Sequence, residues 1–324
     1  MGLNDGACCP KGSAETGQAP HHIYRNAALA VPKASPEVRD KLRESLVEIR
    51  GGIFEMGARK STFPADLDSP RAKVKVSSFL ISPYSVTNAQ FAAFVSDTGY
   101  VSVAEREGWS FVFHLFLDQP NKWQISPPGL PWWRKVDGAY WAAPRGPESS
   151  WHDIPDHPAV HITWSDALAY CTWAGLRLPR EAEWERAARG KLAKAKFPWG
   201  NAFRPNGETQ MNTWQGDFPK TNTGAFSRTG TAPVTAYEPN TFGLYNMTGN
   251  VWEWVQDYFG PIPSSAKRPV FDPTGPKNGD WRVQRGGSHL CHVSYCDRYH
   301  VHSRSSNDPD SSTGNCGFRV AADI

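Results

Sequence analysis

Glycine and proline interrupt this chain so often that long regular elements have little room to form. The 324 residues include 28 Gly and 27 Pro, together about 17% against roughly 12% in average usage. Runs such as Pro239-Asn240, Thr248-Gly249-Asn250 and Asp272-Pro273-Thr274-Gly275 are turn-forming text. Core material is nonetheless plentiful, with 39% hydrophobic residues and 14 Trp. The combination argues against a helical bundle and for a folded protein with short elements and much irregular backbone. A formal charge of +3 is too small to indicate nucleic acid as a partner. No 18-residue apolar run occurs, so no membrane span is expected. The opening Met1-Gly2-Leu3-Asn4-Asp5-Gly6 lacks the basic-then-apolar pattern of a secretory signal. Six cysteines are too few for a disulfide-dense scaffold, and the expected compartment is the cytoplasm with thiols reduced.

Residues 1–44 lack a sustained pattern and are expected to form a flexible arm, with one domain over 45–324. Cys8 and Cys9 lie on that arm as an incidental thiol pair. Val38, Leu42 and Leu46, four apart, predict a short helix over 36–50. Alternation in "VEIRGGIFEMG" and "AKVKVSSFLISPYSV" predicts half-buried strands. Thr87 or Asn88 caps a helix with an apolar stripe of Phe91, Phe94 and Val95, stopped by Gly99. Residues 105–160 read as a long irregular insert. Ser165 is the expected cap of a helix running to Gly175, and Pro179 opens another, whose Glu181, Glu183 and Glu185 suit a helix N-terminus before Gly190 ends it.

Chemistry concentrates in Ser288-His289-Leu290-Cys291-His292-Val293-Ser294-Tyr295-Cys296. Two thiols among Ser, His and Tyr suggest reactive sulfur, because the thiolate is both nucleophile and soft ligand for Cu(I) or Zn(II). A structural disulfide or two plainly buried thiols are the alternatives. An odd separation points the sulfurs to opposite faces of a straight strand, so their cooperation demands a bulge or turn between them. His289 and His292 flank Cys291 and are placed to tune it. In "GLYNMTGNVWEW", Asn246, Glu253 and the carbonyls around Gly249 and Val251 supply hard oxygen, which suits calcium; a turn entering a Trp-rich strand is the alternative. Cys171 and Cys316 read as inert, Asp308 and Asp310 as a solvated loop, and Gly286-Gly287 as a tight backbone path.

Taken together, "GGIFEMG", "VTNAQFAAFVSDTGY", "DHPAVHITWSDALAYCTWAGLRLPREAEWE", "FPWGN", "NTWQGDFPKTNTG", "GLYNMTGNVWEW" and "RGGSHLCHVSYCDRY" resemble the formylglycine-generating enzymes, or sulfatase-modifying factors, from Val47 to Asp323. The resemblance implies an α+β fold with little regular structure, the family's variant of the C-type lectin-like fold. It implies oxidation by O2, with a thiol reductant, of the cysteine in a Cys-x-Pro-x-Arg sequence of an unfolded sulfatase to Cα-formylglycine. Cys291 and Cys296 would bind Cu(I), with Ser288, Tyr295 and Trp252 lining the site. Asn246, Gly249, Val251 and Glu253 match a calcium site. Asn212 and Thr213 match the opening pair of another, which reads as degenerate because Phe226 and Arg228 replace its acidic and aromatic positions; Arg228 is then expected to supply the missing charge. Disulfide positions of secreted members fall on Cys171 with Val320, and on Ala188 with Val301, in keeping with a reducing compartment. The alternative is a non-catalytic peptide- or partner-binding member of the superfamily, which the loss of either thiol would favour; both are present.

Overall fold

The computed structural model describes residues 9–10 and 21–324; Cys8 lies outside them. Its organising element is a four-stranded sheet in the order Arg304–Asn307, Arg282–Arg285, Trp252–Tyr258, Cys316–Phe318. The first three strands run antiparallel and the last pairs parallel, with Cys316 opposite Trp252 and Arg285 opposite Glu253. Two three-stranded sheets flank it, Val47–Ile49 with Phe79–Ile81 and Ala321–Asp323, and Gly52–Met56 with Ala72–Val76 and Val270–Phe271. Elements are short and the connections long, so the α+β, low-regularity expectation holds.

Helix Asn88–Thr98 begins and ends as its sequence dictates. Thr87 accepts from the Gln90 amide while the Gln90 side chain accepts from the Thr87 amide, and Gly99 closes it at φ +63°. Helix Trp164–Ala174 starts earlier than expected. Thr163, not Ser165, is its cap, because Asp166 completes the reciprocal pair of hydrogen bonds; Ser165 instead donates to Asp310. In helix Glu181–Arg189 the glutamates do more than suit a dipole. Glu181 pairs with Arg304 and Arg285, Glu183 with Arg177, and Glu185 with Arg189 and Arg285. They are the counter-ions for buried arginines that tie the helix to the sheet.

Three expectations are corrected. The helix predicted over 36–50 ends at Glu44, and Leu46 leads into the strand Val47–Ile49. The insert contains helix Val103–Glu107 and a strand pair, Trp109–Phe113 with Trp133–Asp137. Trp109–Phe113 is buried throughout, so it lacks the alternation that betrays a half-exposed strand. The presumed arm also includes helix His21–Leu29, whose Tyr24 and Ala28 are buried, and Ala28 and Ala34 join the core cluster of helix Trp164–Ala174. The folded part therefore reaches well before residue 45. No described helix is long and apolar enough to cross a membrane.

Candidate active site

Strand Arg282–Arg285 delivers the chain to the thiols through two glycines that permit nothing larger. Gly286 and Gly287 have φ of +96° and +74°. A Cβ at Gly287 would lie 2.3 Å from the Arg298 carbonyl oxygen, and one at Gly286 would lie 3.2 Å from the Trp184 ring. The tight path read from the sequence is present. Beyond it the His292 carbonyl accepts from the amides of Tyr295, Cys296 and Asp297 at 2.9, 3.0 and 3.1 Å. That coil supplies the turn which an odd cysteine spacing demands. Cys291 and Cys296 are 0% and 1% exposed and belong to one apolar cluster. Arg298 anchors the far end of the loop, donating to both Asp66 oxygens at 2.6 and 2.9 Å while its guanidinium lies 3.9 Å from the Phe63 ring centroid.

Polar groups surround the pair. The Ser288 amide donates to Cys291 Sγ at 3.3 Å, and Ser288 Oγ accepts from the Asn315 side chain at 3.0 Å. Tyr299 is held in its neutral form by burial first, then by the negative charge of Asp297, with the Cys291 and Cys296 sulfurs acting in the same direction. Trp252 is fully buried on the central strand, and its indole N–H meets no acceptor among the described residues. Tyr295 stacks on Phe218 at 4.5 Å and meets Trp132 edge-on at 5.0 Å. Beside the loop opens a groove of about 470 Å³, lined by Phe197, Phe203, Trp214, His292, Val293 and His300 among others. Its histidines are biased to the neutral form: burial lowers the pKa of both His292 and His300.

Of the sequence-predicted residues, Ser288 and Cys291 are hydrogen-bonded, Trp252 is linked to Ser288 through Asn315, Cys296 shares the apolar cluster of Cys291 and Trp252, and Tyr295 packs against that cluster. His289 turns away, Nδ1 meeting the Asn250 carbonyl at 2.8 Å. Asn315 and Asp66 carry no motif and are brought to this loop only by the fold; Arg298 and Tyr299 lie within the quoted "RGGSHLCHVSYCDRY" but had no role assigned from sequence. Cys171 and Cys316 are free, and burial pushes both thiols up, so both are inert as expected. Asp310 is not solvated: it is 5% exposed and accepts from Ser165.

The donor set fits a soft ion. Two buried thiols are soft donors, and both lie close enough to Tyr299 to act on it electrostatically; among the described residues no three His, Cys, Asp or Glu side chains meet as a metal group. The calcium residues divide. Asn246 Oδ1 is buried without a hydrogen-bond partner, as an oxygen awaiting a cation would be. The Glu253 carboxylate is already saturated, by Arg319 at 2.6 and 2.8 Å, Trp184 at 2.7 Å and Ser85 at 2.7 Å. In this structure Glu253 serves as the buried counter-ion of Arg319. Gly249 and Val251 flank that turn, and a Cβ at Gly249 would lie 2.6 Å from the Asn212 carbonyl oxygen. At the degenerate site Asn212 donates to the Gly230 carbonyl and to Asn250 Oδ1 at 2.8 and 3.1 Å, and Thr213 Oγ1 accepts from Gln215. Direct hydrogen bonds close that turn, and Arg228 is exposed rather than standing in for an ion.

Comparison with known proteins agrees with this architecture. Residues 32–324 match the family described as Sulfatase-modifying factor enzyme 1-like domain. The chain is 51% identical over 297 residues to a formylglycine-generating enzyme of Thermomonospora curvata, covering 90% of this chain and 97% of that one. It is 50% identical over 299 residues to one of Streptomyces coelicolor, covering 92% and 94%. The solved structure of PvdO from Pseudomonas aeruginosa shares the fold, with a TM-score of 0.61 and 23% identity over 86% of this chain and 94% of that one. With a domain match over most of its length and relatives this similar along nearly their whole chains, this protein belongs to the formylglycine-generating enzyme (sulfatase-modifying factor) family.

Proposed function

We propose that this protein oxidises a cysteine of a sulfatase polypeptide to Cα-formylglycine, with Cys291 and Cys296 as its copper-binding thiols. The observation that carries the reading is the coil after His292, which brings two buried thiols into one cluster beside Ser288 and a groove wide enough for an extended peptide. Its relatives of about half-identical sequence bear that activity in their names. In the reaction the client's side-chain carbon is oxidised and its sulfur leaves. O2 is the oxidant, and an external thiol supplies the remaining electrons. A bound Cu(I) supplies the one-electron oxygen chemistry that no side chain offers.

The chain's own residues set the stage for that chemistry. The Ser288 amide donates to Cys291 Sγ and fixes the sulfur's position. Burial of both sulfurs in an apolar cluster excludes bulk water. Tyr299, kept protonated, is a hydroxyl donor at the edge of that cluster and not a base. Trp252 contributes a second buried donor without an acceptor of its own. The groove beside the loop accepts an extended client, and its aromatic lining suits apolar client side chains. For calcium, Asn246 Oδ1 and the carbonyls of its turn are the donors, without Glu253; the expected signature is a higher melting temperature in calcium than in chelator, and identical melting would remove the ion.

The test is mass spectrometry of a Cys-x-Pro-x-Arg peptide incubated with copper-loaded protein, oxygen and a thiol reductant. The expected product is the aldehyde in place of the cysteine thiol, formed by the wild type and not by Cys296→Ser, whose circular dichroism matches the wild type. Equal turnover by that variant would end the dithiolate reading.

A further inference from the structure

Two N-terminal residues of the same chain, Cys9 and Pro10, are buried beside the site. Cys9 is 3% exposed and lies in the cluster that holds Cys291 and Cys296. Its Sγ lies 3.4 Å from Asn315 Nδ2 and 3.6 Å from Asn315 Oδ1. The same Nδ2 donates to Ser288 Oγ at 3.0 Å, and the Ser288 amide donates to Cys291 Sγ. The next residue is fixed by its backbone. Asn307 Nδ2 and Ser311 Oγ each donate to the Pro10 carbonyl at 2.9 Å. Asn307, Ser311, Asn315 and Ser288 are all buried.

Two features of this contact belong to peptide recognition rather than to core packing. A carbonyl held by a side-chain amide and a hydroxyl is recognition of backbone, which works for any sequence that presents an extended strand. The Cys9 thiol is held on Asn315, which stands two hydrogen bonds away from Cys291 along a buried polar chain through Ser288. In sequence, Pro10 follows the buried thiol of Cys9 directly, one position earlier than in the expected Cys-x-Pro client, so the likeness lies in a buried thiol and a held carbonyl and not in the residue order.

We propose that Cys9-Pro10 is a self-occluding contact, a client mimic that a sulfatase peptide must displace to reach Cys291 and Cys296. The inference rests on the oxidase reading, because that reading brings a client thiol from the groove to Cys291, which the Ser288–Asn315 hydrogen bonds link to Cys9. An attached ligand competes at a high effective concentration however weak its contacts. The apparent affinity for a client is then reduced by the fraction of molecules in which the ledge is open.

The experiment uses the full chain and a client peptide whose cysteine is replaced by serine, so that binding is read without turnover. Site-resolved alkylation should find Cys9 protected in the protein alone and modified severalfold faster once the peptide is bound. The double variant Cys9→Ala, Pro10→Ala should bind the fluorescently labelled peptide severalfold more tightly than wild type, and in turnover it should lower KM with kcat unchanged. Cys9 alkylation unaffected by saturating peptide, or equal or weaker binding by the double variant, overturns the proposal. Turnover accompanied by either of those results sinks the self-occluding contact alone. Absence of turnover by copper-loaded protein that still exchanges Cys9 for peptide sinks the oxidase reading alone.

Discussion

Glu253 shows how far a residue's chemistry depends on what the fold sets beside it. Read in sequence it is the one anion of a hard-oxygen turn; in the structure it is the counter-ion of Arg319, with the two side chains 1% and 0% exposed. Removing the carboxylate leaves a buried guanidinium without its charge partner, which costs about 3–5 kcal/mol. Glu253→Ala is therefore expected to lose that much in urea denaturation, equally with calcium and with chelator. A loss confined to calcium-containing buffer would return Glu253 to the metal. Asp257 gives a pH signature. Burial, then the charge of Glu181, raises it from 3.8 to about 7. The folded protein thus keeps a proton that the unfolded chain releases, and this contribution to stability, full below about pH 4, is lost as pH rises through about 7. Asp257→Asn removes the titration while keeping an oxygen to accept from the Glu181 amide. Relative to wild type it should gain roughly 2–4 kcal/mol between acid and mildly alkaline buffer, and parallel pH profiles of the two proteins would contradict the shift.

At the scale of elements, the Arg282–Arg285 strand and the loop after it form one device. The strand is pinned by Arg285, which donates to Glu185 at 2.5 Å and to the His302 and Val301 carbonyls at 2.9 and 3.0 Å. The loop leaves through Gly287 and is fastened again at Arg298. Gly287→Ala places a side chain in the left-handed region and against a backbone carbonyl. Strain of about 1–3 kcal/mol is expected, together with loss of peptide turnover as the thiols shift. Wild-type melting and turnover would show that the loop does not need this path. Helices with strong caps were legible in the sequence, since Thr87 with Gln90 and Gly99 bound an element by local rules alone. Helix Trp164–Ala174 was legible except for its first turn, where Thr163 and Ser165 are both competent caps and Asp166 decides between them. The strand Trp109–Phe113 was not legible, because burial on both faces erases its period.

Over the whole molecule, the chemistry was more legible in the residues than the architecture that supports it. The thiol pair announces itself by its neighbours, and the glycines before it announce a turn. Asn315 and Asp66 do not, because they reach the loop only through the parallel strand Cys316–Phe318 and through the Arg298 ion pair. The N-terminal segment was the largest misreading. Its composition is that of a tail, yet Cys9, Tyr24, Ala28 and Ala34 are buried, because small side chains and a single aromatic make no visible periodicity. The resulting arrangement is a sulfur site held by short elements, closed on one side by the chain's own N-terminal residues. X-ray absorption at the copper edge tests this account most directly, on Cu(I)-loaded protein with and without a cysteine-bearing client peptide. The account predicts sulfur-only coordination that gains one sulfur when the peptide binds and disappears in Cys291→Ser. Nitrogen or oxygen ligands, or a spectrum indifferent to both peptide and variant, would contradict it.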